Sequence, residues 1–255
     1  MKVRLLGSGT STGVPRIGND WGLCDPAELK NRRTRVSIVV ENEAGNRILV
    51  DTSTDLRAQL LANEIDRIDA IFWTHDHADH AHGIDDLRPL RYGRAGAIPG
   101  FAADETARRL RRRFDYVFAG QHGYPTIVDL DTLERLRICV GFGVSHCQMP
   151  HGPAQSTCFR FEADGCSIVY ATDFSAITRE MVDLAQGVDL LITDCLRREP
   201  HPTHAHLAMA LELAEASRAK RAVLTHLDKS MDYATLSAEV PAYVLVGYDG
   251  MELTP

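Results

Sequence analysis

The ten residues THDHADHAHG (74–83) hold four histidines and two aspartates and follow directly on the apolar run DAIFW (69–73). An apolar run of this length is typical of a buried strand. Titratable side chains that begin where a buried strand ends are held on a rigid scaffold, as binding and catalytic loops are. The segment therefore predicts a sheet-based fold with a site at the end of one strand, rather than a solvated loop of surface histidines.

The spacing within this segment predicts two neighbouring metal positions. His75 and His77 are two residues apart, so at an extended strand end they point to the same side and can bind one ion. Asp79 and His80 follow where the chain turns into a helical pattern, and from there they can reach a second position. Imidazole and carboxylate ligands without thiolate suit zinc, manganese or iron.

Single polar residues stand at the ends of other apolar strands. His151 follows VSHCQMP, Asp173 ends CSIVYATD and His226 ends AVLTH. Taken singly, each has an ordinary explanation, because an Asp after a strand is usually a turn former or the N-cap of the next helix. Together with the cluster, they complete two coordination spheres. The predicted ligands of one ion are His75, His77, His151 and Asp173, and those of the other are Asp79, His80, Asp173 and His226.

Length and element order predict a single domain over residues 1–255. The chain is 44% hydrophobic, which is enough for one large core, and no linker or repeat separates two halves. Strands and helices occur in two similar halves, each a sheet covered by helices on one side. This order predicts an α/β fold, a four-layer α/β/β/α sandwich.

Some segments carry specific predictions of secondary structure. RVSIVVE and NRILVD are predicted to form a hairpin across NEAGN. The pattern predicts one helix over 104–118, a strand over 133–141 and an amphipathic helix over 203–219. The last apolar segment, 243–253, is predicted to close the fold as a hairpin.

Composition limits the partners. The formal net charge of −7 argues against RNA, and the basic run RRLRRRF (108–114) is more often the wet face of a helix than a nucleic-acid patch. The six cysteines form no CxxC pair and the N-terminal segment lacks the pattern of a secretion signal, so reduced thiols and a cytoplasmic location are expected. No apolar run is long enough to cross a membrane, and no membrane partner is expected.

Several motifs resemble those of one enzyme superfamily. HDHADH (75–80) matches the HxHxDH signature of the metallo-β-lactamase superfamily, and the later His, Asp and His resemble its later metal motifs. LVDTSTD (49–55) resembles its early Asp motif, which implies a structural role for Asp51 rather than metal binding. LGSGTSTGVPRIG (6–18) and VGYDGMEL (246–253) look like the branch that holds tRNase Z and the phosphoribosyl cyclic phosphate phosphodiesterase. The resemblance to the phosphodiesterase covers almost the whole chain and implies the αββα fold.

The resemblance also implies a proton donor. THAHLAMAL (203–211) is similar to the catalytic-histidine segment of the phosphodiesterase, which makes His204 the expected donor to the leaving alkoxide. Thr203 is a plausible N-cap, which would place His204 at the start of a helix whose dipole attracts phosphate. His206 is the competing donor. The remaining histidines are interpreted as ordinary loop or core residues: His82, His122, His146 and His201.

Two departures from these families bear on cofactor and substrate. The phosphodiesterase carries a structural zinc on N-terminal cysteines and a later His, but here only Cys24 remains and Lys229 stands in place of that His. We therefore expect no third, structural zinc and a loop that is held another way. No stretch has the length or the basic, glycine-containing character of the arm with which tRNase Z grips tRNA. Arg33 and Arg35 either meet a phosphate or stay solvated at the surface.

The predicted chemistry is metal-assisted hydrolysis. Two divalent ions, zinc or manganese, about 3.5–4 Å apart, lower the pKa of a bridging water and stabilise charge on phosphoryl oxygens. Asp79 would bind one ion and orient the nucleophile. The leading interpretation is a phosphodiesterase that acts on a small cyclic phosphate or nucleotide-like ester through a metal-bridging hydroxide.

Two other classes of function stay open. One is another hydrolase on the same metals, either an RNA 3′ nuclease or a thioester or lactone hydrolase. The other is a non-hydrolytic role, as in the branch member linked to quinone-cofactor synthesis, which the complete ligand set disfavours. The aromatic-rich segment FDYVFAGQHGYP (114–125) either lines the substrate mouth or forms the contact of a homodimer.

Overall fold

The computed structural model describes residues 1–121, 123–134 and 136–255, which form fourteen strands and eight α-helices. The strands are β1 (Lys2–Gly7), β2 (Ser37–Glu41), β3 (Arg47–Val50), β4 (Ala70–Trp73), β5 (Ile98–Ala102), β6 (Val128–Thr132), β7 (Ile138–Cys139), β8 (Phe142–His151), β9 (Ala154–Ala163), β10 (Cys166–Ala171), β11 (Leu190–Asp194), β12 (Arg221–Thr225), β13 (Val244–Val246) and β14 (Glu252–Leu253). The helices are α1 (Leu56–Ala62), α2 (Ala78–Ala81), α3 (Leu87–Arg91), α4 (Asp104–Arg113), α5 (Asp115–Ala119), α6 (Arg179–Ala185), α7 (Leu207–Ala216) and α8 (Tyr233–Glu239). None of these helices is both long enough and apolar enough to span a bilayer.

The strands form two seven-stranded sheets with the same internal plan. The first has the order β14-β1-β2-β3-β4-β5-β6 and the second β13-β12-β11-β10-β9-β8-β7. In the first sheet, β14 to β3 pair antiparallel and β3 to β6 pair parallel; in the second, β7 to β10 pair antiparallel and β10 to β13 pair parallel. The predicted hairpin between β2 and β3 is present.

Successive side chains of the central strands lie in different hydrophobic layers, because both faces of each sheet are covered. In β4, Phe72 packs between the two sheets and Trp73 packs against the helices outside the first sheet. In β11, Ile192 packs between the sheets and Leu191 against the helices outside the second. The layers are therefore helices, sheet, sheet and helices, which confirms the predicted α/β sandwich.

An aromatic cluster joins the two sheets. The ring centroid of Phe72 lies 5.4 Å from Phe159 and 5.5 Å from Phe161, both edge-to-face, and 5.2 Å from Phe101. Phe72 and Phe101 belong to the first sheet, whereas Phe159 and Phe161 belong to the second. These pairs add attraction beyond their buried area and hold the sheets face to face.

The predicted closing hairpin over 243–253 is wrong. β13 pairs with β12 in the second sheet, whereas β14 pairs with β1 in the first, so the chain crosses between the sheets. Gly247 lies at the crossing, where an added Cβ would come within 2.6 Å of the Leu224 carbonyl oxygen. Asp249 then accepts hydrogen bonds from the main chain and hydroxyl groups of Ser8 and Thr34. Local apolar pattern could not distinguish this crossing from a turn.

Other element predictions need correction at particular residues. The helix predicted over 104–118 is two helices, α4 and α5, because the backbone leaves the helical region at Phe114 (φ −130°, ψ 42°). Of the strand predicted over 133–141, only β7 forms, and Arg135 lies outside the described residues. Strands β5 and β6 were not predicted. Pro99 and Gly100 interrupt the apolar pattern of β5, and Gly100 is needed because a Cβ there would press on Val128 and Trp73.

The loop that carries Cys24 is held by a buried arginine. Arg33 donates to the carbonyls of Met231 at 2.7 Å and Asp228 at 3.2 Å, and its Nη1 lies 3.7 Å from Cys24 Sγ. Both predicted roles of Arg33 are therefore wrong, since it neither meets solvent nor lies free for a phosphate.

The other charged residues of this region also pair within the protein. Lys229 pairs with Asp20, so it ties the segment after β12 to the N-terminal loop. Arg35 pairs with both carboxylate oxygens of Asp55, at 2.9 and 3.0 Å. The predicted solvated role of Arg35 thus gives way to an ion pair that joins the segment before β2 to the start of α1.

We expect Phe72→Ala to destabilise the whole molecule, because it removes a fully buried ring from the layer shared by both sheets. The free energy of unfolding should fall by about 3–5 kcal/mol. Denaturant titration followed by circular dichroism and tryptophan fluorescence measures this. Leu61→Ala, at a residue 63% exposed, is the matched control and should change it by less than about 0.5 kcal/mol. Two separate transitions would contradict the single-domain prediction.

Candidate metal centre

The candidate site lies where the carboxyl ends of parallel strands from both sheets meet. Asp51 follows β3, Asp173 lies two residues after β10 and His226 directly follows β12. All three adopt left-handed backbone conformations, with φ of 65°, 63° and 61°. Non-glycine residues rarely take this conformation, and it recurs at functional sites where the surrounding structure maintains it.

The first ligand group contains the four residues predicted for the first ion. Each of His75, His77, His151 and Asp173 offers a donor atom within 4.8 Å of the others. Asp173 Oδ2 lies 3.7 Å from His75 Nε2 and 3.6 Å from His151 Nε2. His77 Nδ1 lies 3.2 Å from His151 Nε2. The loop after β4, the end of β8 and the segment after β10 thus bring these four side chains together.

The second group lies on the other side of Asp173. Donor atoms of Asp79, His80 and His226 also lie within 4.8 Å of one another. Asp173 Oδ1 is 3.4 Å from His80 Nε2 and 3.5 Å from His226 Nε2. Asp79 Oδ2 is 3.5 and 3.6 Å from the same two nitrogens. Asp173 therefore presents one oxygen to each group, as a bridging ligand must.

Several ring nitrogens of these groups are buried without a partner among the described residues. They are His75 Nε2, His80 Nε2 and both ring nitrogens of His226. Burying an unpaired polar atom costs free energy, so native structures rarely leave several together. Neutral imidazole and carboxylate donors are those that divalent metal ions bind in proteins. The site therefore fits divalent metal ions.

Outer hydrogen bonds orient the ligands. Asp51 Oδ2 lies 2.7 Å from His80 Nδ1, and Asp51 itself accepts from the main chain and hydroxyl of Thr74 at 2.8 Å. Thr203 contributes its carbonyl, 2.7 Å from His151 Nδ1. Each contact leaves the Nε2 atom of the ring facing the site, as is usual for metal-binding histidines. Asp51 lies behind His80, where the sequence placed a structural residue.

Charge is distributed unequally between the two groups. Burial opposes a positive charge on His80 and His226, but nearby carboxylates, above all that of Asp173, outweigh it. They hold the pKa of His80 well above its ordinary value and raise the pKa of His226 to about 9. Burial lowers the pKa of His75 and of His151. In the metal-free protein, a proton is therefore favoured on His80 and His226 and disfavoured on His75 and His151.

His204 lies beside the carboxylate of Asp173. Its Nδ1 is 3.2 Å from Asp194 Oδ2 and 3.7 Å from Asp173 Oδ2, and its ring stacks on His226 with centroids 4.8 Å apart. A cavity of about 160 Å³ opens here. It is lined by Ser11, His77, Asp79, His151, Pro153, Ala154, Asp173, Thr203 and His204.

The predicted start of the helix at Thr203 is wrong. α7 begins at Leu207 and His206 occupies the N-cap position, so neither Thr203 nor His204 is at a helix terminus. The segment pairs instead with the chain that leaves β11, through Leu196 N–H to the Ala205 carbonyl. Tertiary pairing overrides the helical pattern here. His206 does not line the cavity described above.

Asp194 is a site residue that was not predicted from the sequence. It ends β11, is fully buried, and contacts both His204 and His226, the latter at 3.6 Å from Oδ1 to Nδ1. The signal was present, since Asp194 ends the apolar run LLITD as Asp173 ends its own strand.

Asp76, the other aspartate of the cluster, belongs to neither ligand group. Its Oδ2 lies 3.1 Å from Arg113 Nη2 and its Oδ1 lies 3.5 Å from Arg109 Nη1. The basic run over 108–114 is therefore more than a wet helix face, because two of its arginines tie α4 to the ligand loop.

The remaining histidines lie outside the two ligand groups. His146 Nε2 contacts the Leu133 carbonyl at 3.2 Å, and the His201 ring lies 5.2 Å from that of His204. His82 contacts Phe114. His122 lies outside the described residues.

The aromatic segment 114–125 divides between two cavities. Tyr116, Gln121, Tyr124 and Pro125 line one of about 230 Å³ that shares no lining residue with the metal-site cavity. Phe114 lines a different cleft, described below. The homodimer contact stays a prediction.

Comparison with known proteins identifies one matching family and several similar proteins. A beta-lactamase superfamily domain matches residues 46–227. An octanoyltransferase of Porphyromonas gingivalis is 33% identical over 99% of this chain, but the chain spans only 51% of that protein. A crystal structure of a new diphosphatase from the PhnP family is 34% identical, covers 99% of this chain and 97% of its own, and has a TM-score of 0.89.

Two further structures show likeness of fold alone. Zinc-bound PqqB from Methylobacterium extorquens is 20% identical over 100% of both chains, with a TM-score of 0.77. The short form of human tRNase Z is 21% identical over 100% of this chain and 99% of its own, with a TM-score of 0.75.

We expect metal binding to release protons, because His226, with a pKa raised to about 9, and His80 must lose theirs before Nε2 can bind an ion. Apparent zinc affinity should fall as pH falls from 9 towards 6. The folding stability of the metal-free protein should change with pH in the opposite direction. The stability that the raised pKa of His226 contributes is complete below about pH 6.5 and is lost as pH rises through 9.

Zinc titration calorimetry in two buffers of different ionisation enthalpy measures the proton release. His146→Ala, remote from both ligand groups, should release the same number of protons as the wild type. Identical heats in the two buffers at pH 7 would contradict the assigned charges.

Proposed function

The chain belongs to the beta-lactamase superfamily, and we propose that it is a hydrolase with two divalent ions, zinc or manganese, that cleaves a small cyclic phosphate or nucleotide-like phosphodiester. The observation that carries the proposal is the pairing of a bridging carboxylate with an adjacent oriented histidine. Asp173 faces both ligand groups, and His204 lies 3.7 Å from it in the same cavity. Such a site combines two-ion binding with a separate proton donor.

The roles of the ligands follow from their positions. When bound, two divalent ions would activate a water molecule and neutralise charge on phosphoryl oxygens. His75, His77 and His151 would hold one ion, His80 and His226 the other, and Asp173 both. Asp79 lines the cavity and lies at the second group, so it can both bind an ion and orient the attacking water.

His204 is the proposed proton donor. Asp194 contacts its Nδ1 at 3.2 Å, which leaves Nε2 as the atom that can give a proton to the leaving oxygen. An alkoxide is a poor leaving group, so a donor speeds its departure by about 10²–10⁴-fold. A thiolate leaves without one, so the His204–Asp194 pair supports an oxygen ester over a thioester.

A diphosphate ester is the second candidate substrate. The observation that favours it is the similarity over nearly the full length of both chains to a diphosphatase from the PhnP family. Both substrates require attack at phosphorus, so the same ligand groups would serve either. A leaving phosphate is acidic, as p-nitrophenol is, so it would depend less on a proton from His204 than a leaving alkoxide does.

Other candidate functions have less support. The net charge of −7 disfavours RNA as a substrate. The octanoyltransferase activity belongs to a protein of which this chain spans about half, so the name does not transfer. A non-hydrolytic role would leave two full donor groups and the His204–Asp194 pair without a purpose. All six cysteines are unpaired, which supports the proposed cytoplasmic location.

We expect zinc-loaded protein to contain close to two ions per chain, with the N-terminal loop contributing to neither. Asp173→Ala should lower the content of both ions, because it removes the carboxylate that each group shares. Elemental analysis after gel filtration measures this. Cys24→Ser is the control and should keep two ions. A stoichiometric third ion that Cys24→Ser removes would contradict the absence of a structural zinc.

His204→Ala should leave metal content intact and slow hydrolysis of a poor leaving group by roughly 10²–10⁴-fold. The loss should shrink for p-nitrophenolate, which departs without a proton. Turnover of a 2′,3′-cyclic nucleotide and of bis(p-nitrophenyl) phosphate by the same variant measures the difference. Equal losses on both substrates would point to phosphate stabilisation instead. His206→Ala is the matched control. A selective defect in His206→Ala but not in His204→Ala would show that His206, rather than His204, is the proton donor.

A further inference from the structure

A second cleft opens beside the metal-site cavity. It has a volume of about 470 Å³ and is lined by His77, Ala78, His82, Arg113 and Phe114. His77 also lines the metal-site cavity, so the two spaces share a wall. The cleft is broadly open to solvent, so it can contact one part of a ligand rather than enclose the whole of it.

The cleft lies at His77, whereas the proposed proton donor lies elsewhere in the cavity. His204 lines the metal-site cavity but not the cleft. Because the leaving group must lie next to His204, the flank at His77 remains for the part of the substrate that stays on phosphorus. The cleft is therefore placed to contact the retained group.

The side chains of the cleft suit a ring better than a second anion. Phe114 is half-buried, and its ring lies edge-to-face with exposed His82, with centroids 5.5 Å apart. Arg113 already pairs with the buried carboxylate of Asp76 at 3.1 Å, so its charge is largely compensated. Aromatic and guanidinium groups bind the faces and edges of planar rings.

Two other cavities lack either an aromatic ring or a lining residue shared with the metal-site cavity. One shares Pro153 and Ala154 with the metal-site cavity, but its described lining has no aromatic ring. The other contains Tyr92 and two further tyrosines, but it shares no lining residue with the metal-site cavity. Only the cleft at His77 joins an aromatic surface to the metal centre among the cavities described.

We propose that this cleft, formed by Ala78, His82, Arg113 and Phe114 beside His77, binds a planar aromatic ring on the retained part of the substrate, such as a nucleobase. The inference rests on the proposed hydrolase function, and it narrows the substrate to phosphoesters that carry a nucleoside or similar group. Ring stacking would supply selectivity for the retained group, which bound metal ions, by neutralising phosphoryl charge, would not supply.

A binding measurement tests the subsite without turnover. Titration calorimetry of zinc-loaded protein with adenosine 5′-monophosphate and with ribose 5-phosphate compares ligands that share a phosphate and differ in the base. The wild type should bind the nucleotide about fivefold to a hundredfold more tightly. Equal affinities would overturn the proposal.

Variants locate the contact. Phe114→Leu keeps an apolar side chain at the bend between α4 and α5, and His82→Ala alters an exposed residue. Each should reduce the preference for the nucleotide and leave ribose 5-phosphate affinity within about twofold. A merely structural role of Phe114 would weaken both ligands equally. Tyr92→Ala removes an exposed ring from the separate cavity and should change neither affinity; loss of the preference there, but not in Phe114→Leu, would overturn the proposal.

Kinetics then distinguish the two proposals. Bis(p-nitrophenyl) phosphate and methyl p-nitrophenyl phosphate share a leaving group and differ in the retained group. Phe114→Leu should raise KM for the first by fivefold or more, with little change in kcat and little effect on the second. If neither diester is hydrolysed but the nucleotide preference is present and lost in Phe114→Leu, the subsite stands and the proposed phosphodiesterase function fails.

Discussion

The carboxylate of Asp173 lies between two groups of ligands, and the geometry of the centre depends on it. Oδ2 faces His75 and His151, and Oδ1 faces His80 and His226. These residues come from both sheets, so the centre exists only where the strand ends are held against each other. The aromatic layer around Phe72 does this, because its rings come from both sheets. The packing of the core therefore also sets the geometry of the site.

Burying so many ionisable groups is tolerable because their charges compensate. The pKa values of Asp173 and Asp79 are held below their ordinary range by His226 and His80, against the effect of burial. Behind them, Asp51 and Asp194 face the outer nitrogens of the rings. A buried charge without a partner would cost several kcal/mol, so the carboxylates and the protonated rings beside them depend on each other.

Prediction from sequence was most successful where a local pattern has one physical meaning. Apolar runs that end in His or Asp identified residues that the fold brings together, because a strand end has a fixed place at the edge of a sheet. The same rule applied to LLITD would have found Asp194. It failed for segment 243–253, where an apolar run, a turn and another apolar run can pair with each other or with different sheets. Only the distant partners of β13 and β14 decide between these.

Contacts between residues far apart in sequence could not be predicted from local patterns either. Arg33 had no local signal of burial, and its carbonyl partners at Asp228 and Met231 lie about two hundred positions away. The start of α7 depends on pairing between the segment before it and the end of β11.

By itself the sequence indicated the superfamily, through the resemblance of HDHADH and the later motifs to those of known members. It also determined the layered α/β architecture and the residue types of the centre, since these follow from apolar periodicity and from polar residues at strand ends. Tertiary structure alone decided which oxygen of Asp173 faces which histidines, that Asp194 orients His204, and that a cleft with Phe114 adjoins His77. Such relations depend on distances between residues remote in the chain. Those distances are set by how two sheets pack, and no local pattern contains them.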